Sequence, residues 1–134
     1  MDNINNPIQK EEARASEPVL PAKISFNEFS KIEVKIGKIL SAEKVPETEK
    51  LVKLSVDFAE SMPRQIISGI AKYFPDVSVL VGKKCPFVTN LEPRIIKGQE
   101  SNGMIMAVSG GEGETMRFSL LEALGDILPG DKVV

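Results

Sequence analysis

The stretch Ile32-Glu33-Val34-Lys35-Ile36-Gly37-Lys38-Ile39-Leu40 decides how the rest of the chain is read. Ile32, Val34 and Ile36 recur at every second position with Glu33 and Lys35 between them, the period of a half-buried strand. Gly37 then interrupts, and apolar residues resume at Ile39 and Leu40. A glycine inside a strand marks a bulge or a sharp coil, as needed where one long strand serves two sides of a small barrel. Downstream, Val45-Pro46-Glu47-Thr48 reads as a turn. Val52, Leu54, Val56 and Phe58 then alternate with Lys53, Ser55 and Asp57 as a second strand. Arg64 to Ser68 is a third strand, Gly69 to Phe74 a helical turn, and Val77 to Val81 fits neither pattern. Lys84 to Thr89 and Met104 to Val108 are the fourth and fifth strands. Met116 to Leu120 and Lys132 to Val134 are further short strands, with Gly110-Gly111-Glu112-Gly113 as a hairpin tip and Pro129-Gly130 as a turn.

Upstream, Ser25-Phe26-Asn27-Glu28 is a capping box, flanked by Ile24 and Phe29 as a hydrophobic staple, and predicts a helix of one or two turns. Its expected place is as a lid on the barrel end. Residues 1–22, with Pro7, Pro18, Pro21 and the charged run Lys10-Glu11-Glu12, read as a disordered arm or linker before a domain over 23–134. The fold class is therefore all-β, a five-stranded Greek-key barrel of the OB type. A short helix between strands three and four, a short N-terminal helix and extra C-terminal β structure complete it. In that fold the face around strands two and three, with the first and last inter-strand loops, binds oligonucleotides. Here those loops are Val45 to Lys50 and Asn90 to Met104.

Composition excludes several classes. At 134 residues the chain is sized for one domain with a real core. It has no run of eighteen apolar residues and no apolar stretch in Met1 to Lys10, so neither a membrane span nor a secretion signal is expected. One cysteine, Cys85, cannot form an internal disulfide, and cytoplasm is the expected compartment. Without histidine there is no Ser–His or Cys–His nucleophile and no histidine zinc site, so no catalytic residue, metal set or cofactor is expected. Cys85, Phe58, Phe74 and Phe87 fall at apolar positions and read as core. Net charge is −2, but residues 31–98 carry 12 basic and 8 acidic groups, whereas residues 99–134 carry 2 and 6. Such a split can give one positive face, or be ordinary surface charge.

The stretch Asn90-Leu-Glu-Pro-Arg-Ile-Ile-Lys-Gly-Gln-Glu-Ser-Asn-Gly-Met104 is too long and polar for a simple connection. Arg94 and Lys97 are cations that a buried segment could not hold, and Asn90, Gln99, Ser101 and Asn102 add hydrogen-bonding groups. A long polar loop on a rigid β scaffold is where binding residues sit.

Four blocks make the chain resemble a known family: Ile32 to Ile39, Glu49-Lys50-Leu51, Arg64-Gln65-Ile66-Ile67-Ser68-Gly69-Ile70, and Asn-Leu-x-Pro-Arg…Gly-x-x-Ser-x-Gly-Met over Asn90 to Met104. It resembles the tRNA-binding domain appended to the C-terminus of many methionyl-tRNA synthetases, found also as a freestanding dimeric tRNA-binding protein. The resemblance implies non-catalytic binding to the shape of folded tRNA in support of methionyl-tRNA aminoacylation, with the synthetase catalytic subunit or domain as partner. Lys35, Lys50, Lys53, Arg64, Arg94 and Lys97 would meet phosphates, and Asn90, Ser101 and Asn102 would reach 2′-hydroxyls or loop bases. Met104 would lie at the tRNA-facing rim, although a strand-opening methionine also suits the core. Relatives dimerise through structure flanking the barrel. That corresponds to the segment before Lys35 and to Leu120 through Val134, so a homodimer is expected; the same apolar residues could instead cap a monomer. Many members carry His-Pro after the first strand where this chain has Val45-Pro46. A secretion-associated chaperone of similar fold, binding unfolded polypeptide, is the alternative.

Overall fold

The computed structural model of the protein describes residues 20–134. The arm expected over residues 1–22 falls mostly outside the described residues. The described chain contains α1 (Phe26–Phe29), then β1 (Val34–Lys44), β2 (Val52–Asp57), β3 (Arg64–Ser68), β4 (Lys84–Val88), β5 (Arg94–Ile96), β6 (Gln99–Ser101), β7 (Met104–Ile105), β8 (Ala107–Gly110) and β9 (Arg117–Leu120). Five strands form one antiparallel sheet in the order β3-β2-β1-β4-β7. The sheet curls until β3 meets the segment before β7, where the Asn102 N–H donates to the Gln65 carbonyl at 2.9 Å. It is an all-β, nearly closed barrel of the OB type, with 3₁₀ turns at Ala71–Tyr73 and Val77–Leu80 between β3 and β4.

β1 does what its sequence requires. Residues Lys38 to Lys44 pair with β2, while Val34 to Lys38 pair with β4, so one strand serves both sides. The expected irregularity is displaced: the register shift lies between Ile39 and Ser41, at Leu40 rather than at Gly37. Gly37 is needed for space instead. A Cβ there would sit 2.5 Å from Val56 Cγ1 and 2.6 Å from Phe58 Cε1, well inside contact distance. Those neighbours belong to the core, where Ile39, Val52, Leu54, Val56, Ile66, Leu80, Cys85 and Phe87 are wholly enclosed. Phe58 meets Phe87 edge to face at 5.3 Å between centroids, a favoured aromatic geometry. Burial pushes the Cys85 thiol up to about 11, so this cysteine is inert packing.

Four expectations need correction. The stretch between β4 and β7 is not a plain loop but carries a hairpin, β5 against β6, with Arg94 opposite Ser101 and Ile96 opposite Gln99. The fifth strand stops at Ile105, and Ala107–Gly110 leaves the barrel to pair with β9 around the glycine-rich tip. The helix α1 does form with its capping box, the Ser25 hydroxyl accepting from the Glu28 N–H at 3.1 Å. It is not a lid, however, because it buries no residue: Phe26 is 77% and Phe29 57% exposed. The last residues join the sheet as backbone bonds to β1 rather than as a full strand. The Ile36 N–H donates to the Asp131 carbonyl at 2.8 Å, and the Val133 N–H to that of Val34 at 2.9 Å.

Candidate nucleic-acid interface

The β5–β6 hairpin turns through Lys97 and Gly98, at φ +51° and +77°. Two successive positive φ values are what a tight two-residue hairpin turn demands, and Lys97 is exposed there. On the opposite bank, the turn after β1 is tied by the Thr48 hydroxyl donating to the Val45 carbonyl at 2.9 Å, and it carries Lys50. Lys50 and Lys97 line the same groove of about 320 Å³, floored by Leu51 and Ile96. Glu47 and Glu49 share its walls, so the rim is not uniformly basic. Arg94 is exposed on β5, the same hairpin. Lys50, Arg94 and Lys97 have no ion-pair partner among the described residues, so the groove's two lysines and the exposed arginine of the same hairpin remain available to an anion.

The other sequence-derived candidates separate into different roles. Lys53 stands opposite Glu43 on β1 and pairs with it at 3.0 Å, a cross-strand ion pair half exposed to solvent. Asn90 is occupied at both ends: its Oδ1 accepts from the Glu33 N–H at 2.8 Å and its Nδ2 donates to the Lys31 carbonyl at 2.6 Å. Ser101 is 4% exposed, and its hydroxyl accepts from the Ile67 N–H at 3.0 Å and donates to the Gly103 carbonyl at 3.2 Å. These two side chains fasten the ends of the hairpin segment to the barrel. Arg64 holds Glu60 and the carbonyls of Thr89 and Asn102, while Lys35 lies 3.8 Å from Glu33 beside them. Asn102 is half-buried, with its backbone engaged in the seam, and Met104 is exposed at the start of β7. The polar emphasis of the sequence reading passed over Ile95, Ile96 and Leu51, the apolar surface of the rim. An isoleucine pair inside an otherwise polar segment was the available signal.

The root of the hairpin carries a pH dependence. Glu60 is held below its ordinary 4.5 by the hydrogen bonds from Arg64, and Glu33 by that from the Thr89 hydroxyl, at 2.6 Å. A lowered folded-state value contributes stability that is complete above 4.5 and is withdrawn as pH falls through the lowered value. Acid unfolding of the wild type should therefore set in below pH 4.5, with a reduced acid sensitivity in a Glu33→Gln/Glu60→Gln variant. Identical acid transitions for the two proteins, followed by circular dichroism, would contradict this.

Comparison with known proteins places this rim in context. Residues 34–132 match the family described as "Putative tRNA binding domain", and the chain belongs to that family. Methionine–tRNA ligase from Methanoregula boonei is 47% identical over 111 residues, covering 82% of this chain and 15% of the ligase. The chain thus spans about one seventh of the curated relatives it matches, and is an accessory domain of the tRNA-binding kind rather than a catalytic one. A MetRS related protein from Pyrococcus horikoshii superposes with a TM-score of 0.73 at 36% identity, covering 85% of this chain and all of that one. A CsaA chaperone protein from Picrophilus torridus gives 0.71 at 28%, covering 84% of this chain and all of its own.

Proposed function

We propose that this chain grips folded tRNA by shape and backbone charge and supports methionyl-tRNA aminoacylation in the cytoplasm, as a domain, subunit or freestanding partner of the synthetase. The observation that carries the reading is the convergence of Lys50 and Lys97 from separate loops on one groove, with Arg94 on the same hairpin. Cations lining a groove suit backbone phosphates, and the apolar side chains of Leu51 and Ile96 suit a ribose or a base edge. Aromatic stacking contributes little at this groove, since none of the residues that line it is aromatic. Glu47 and Glu49 in the same groove penalise indiscriminate polyanion binding, so fit matters more than bulk charge. The mechanism is effective concentration: a weak grip keeps tRNA near a catalytic site on the synthetase. Lys50, Arg94, Lys97, Met104 and the Asn102 side chain make the direct contacts, with Lys53 adding a partly neutralised charge.

The likeness to the CsaA chaperone protein favours a second reading, unfolded polypeptide as ligand. Competition decides between them. Labelled tRNA bound to the purified protein should resist excess denatured polypeptide and yield to unlabelled tRNA, and the opposite order would overturn the proposal.

The same proposal includes a homodimer. Phe26, Phe29 and Ile32 beside α1, and Leu124 and Leu128 before the tail, are all at least half exposed. Val133 bonds to Val34 just after the α1 segment, so the tail's end and the residues leaving α1 lie side by side. An apolar surface of this kind is characteristic of an interface. Phe26→Glu with Phe29→Glu should convert a dimer to a monomer in sedimentation analysis while leaving the barrel folded, because α1 buries nothing. A wild type that sediments as a monomer would refute it.

A further inference from the structure

We propose that Arg64 is a positioning residue, a clasp that joins both feet of the β5–β6 arm and sets how Arg94 and Lys97 are presented. This deepens the tRNA-binding reading and rests on it. Arg64 opens β3 with its side chain only 18% exposed. Its Nε and Nη2 donate to the two Glu60 carboxylate oxygens at 2.9 and 2.7 Å, a two-pronged pair that fixes the guanidinium plane. The plane lies 5.3 Å from the centroid of the buried Phe58 ring. So held, Nη1 donates at 2.6 Å to the carbonyl of Thr89 and at 3.4 Å to that of Asn102.

Those two carbonyls mark the places where the chain leaves the barrel after β4 and returns before β7. A single nitrogen therefore bridges the departure and the return of the arm. Each foot has a second tie. The Thr89 N–H donates to the Glu33 carbonyl at 2.9 Å, and the Asn102 N–H to that of Gln65 at 2.9 Å. Beyond its own strand pairing, the hairpin is tied to β3 near its foot, by the Gln65 amide donating to the Glu100 carbonyl at 2.9 Å and by the Ile67 N–H donating to the Ser101 hydroxyl at 3.0 Å. Its direction is thus set at the root. A phosphate reaching Arg64 would have to break the Glu60 fork or release a foot, so Arg64 acts on RNA through the arm it holds.

The test compares Arg64→Lys, Arg64→Met and Glu60→Gln with the wild type. Lysine keeps the charge but cannot bridge two carbonyls while forking a carboxylate. In protein without RNA, tryptic cleavage after Arg94 and Lys97 should quicken severalfold in all three variants, while amides of β1 and β2 exchange as in the wild type. Affinity for unmodified transcript tRNA should fall about tenfold in each, with the slope of log K against log salt unchanged, because pre-organisation suffers while every bond to phosphate remains. Two results would overturn the proposal. One is cleavage at the wild-type rate. The other is wild-type affinity for Arg64→Lys together with a slope reduced by roughly 0.7–0.9 for Arg64→Met, the signature of a direct bond to phosphate. If the wild type itself does not hold tRNA, the functional reading fails, and the tryptic comparison still decides whether Arg64 is a clasp. Should Arg64→Met not fold, Arg64→Lys and Glu60→Gln carry both arms.

Discussion

Replacing Arg94 and Lys97 together by glutamate should weaken tRNA binding on the order of a hundredfold, at about 1.5 kcal/mol for each charge-assisted bond to phosphate that disappears. The same change should flatten the salt dependence. Each neutralised phosphate releases counterions worth roughly 0.7–0.9 in the slope of log K against log salt, so removing two cations takes away roughly 1.4–1.8. Folding should not intervene, because both side chains are exposed and without an ion-pair partner among the described residues. Lys97 sharpens the experiment. At φ +51° it occupies left-handed backbone, which costs a residue with a Cβ about 1–2 kcal/mol and which asparagine tolerates better. Lys97→Asn should thus lose affinity while melting at or above the wild-type temperature, separating charge from stability. Filter-binding titrations across salt and a melting curve are sufficient. Unchanged affinity in the double glutamate variant would show that this rim is not the interface.

The second large effect is on stability. Gly37→Ala drives a methyl group against Val56 Cγ1 and the Phe58 ring, at 2.5 and 2.6 Å before any relaxation. Neither neighbour is the loose end of a flexible chain; both belong to the enclosed core. Overpacking of this kind costs about 1–3 kcal/mol. At roughly 4–8 °C for each kcal/mol in a domain near this size, the melting temperature should fall by a clearly measurable amount. A displaced Phe58 also moves the ring under the Arg64 guanidinium, so the arm should become more protease-sensitive in the same variant. An alanine protein that melts with the wild type would mean that β1 moves away from the second strand at little cost.

What the sequence disclosed follows from how local each signal is. β2 could be read directly, since alternate burial leaves a period-two trace within six residues. The capping box announced α1 for the same reason, as all its bonds lie within four residues. Gly37 was recognised as special, but its cause was hidden because the atoms that exclude a Cβ come from another strand. The β5–β6 hairpin stayed unread because Arg94-Ile95-Ile96 and Gln99-Glu100-Ser101 do not alternate and because lysine is an unusual first residue for such a turn. At the rim, charge and loop placement singled out Lys50, Arg94 and Lys97. Asn90 and Arg64 looked equally suited to RNA, and only distant partners, Lys31 and Glu33 for one and Thr89 and Asn102 for the other, show them engaged within the protein. A polar side chain does not advertise whether its partner is solvent, ligand or a carbonyl far along the chain.

The lacing of residues 130–133 along β1 has a consequence for stored and handled protein. The Val34 and Ile36 carbonyls and the Ile36 N–H would otherwise face water as an unguarded ribbon margin, a template on which foreign extended chains can stack. Because Gly130, Asp131 and Val133 occupy those groups, the closing residues act as a selvedge that keeps the fabric from fraying into its neighbours.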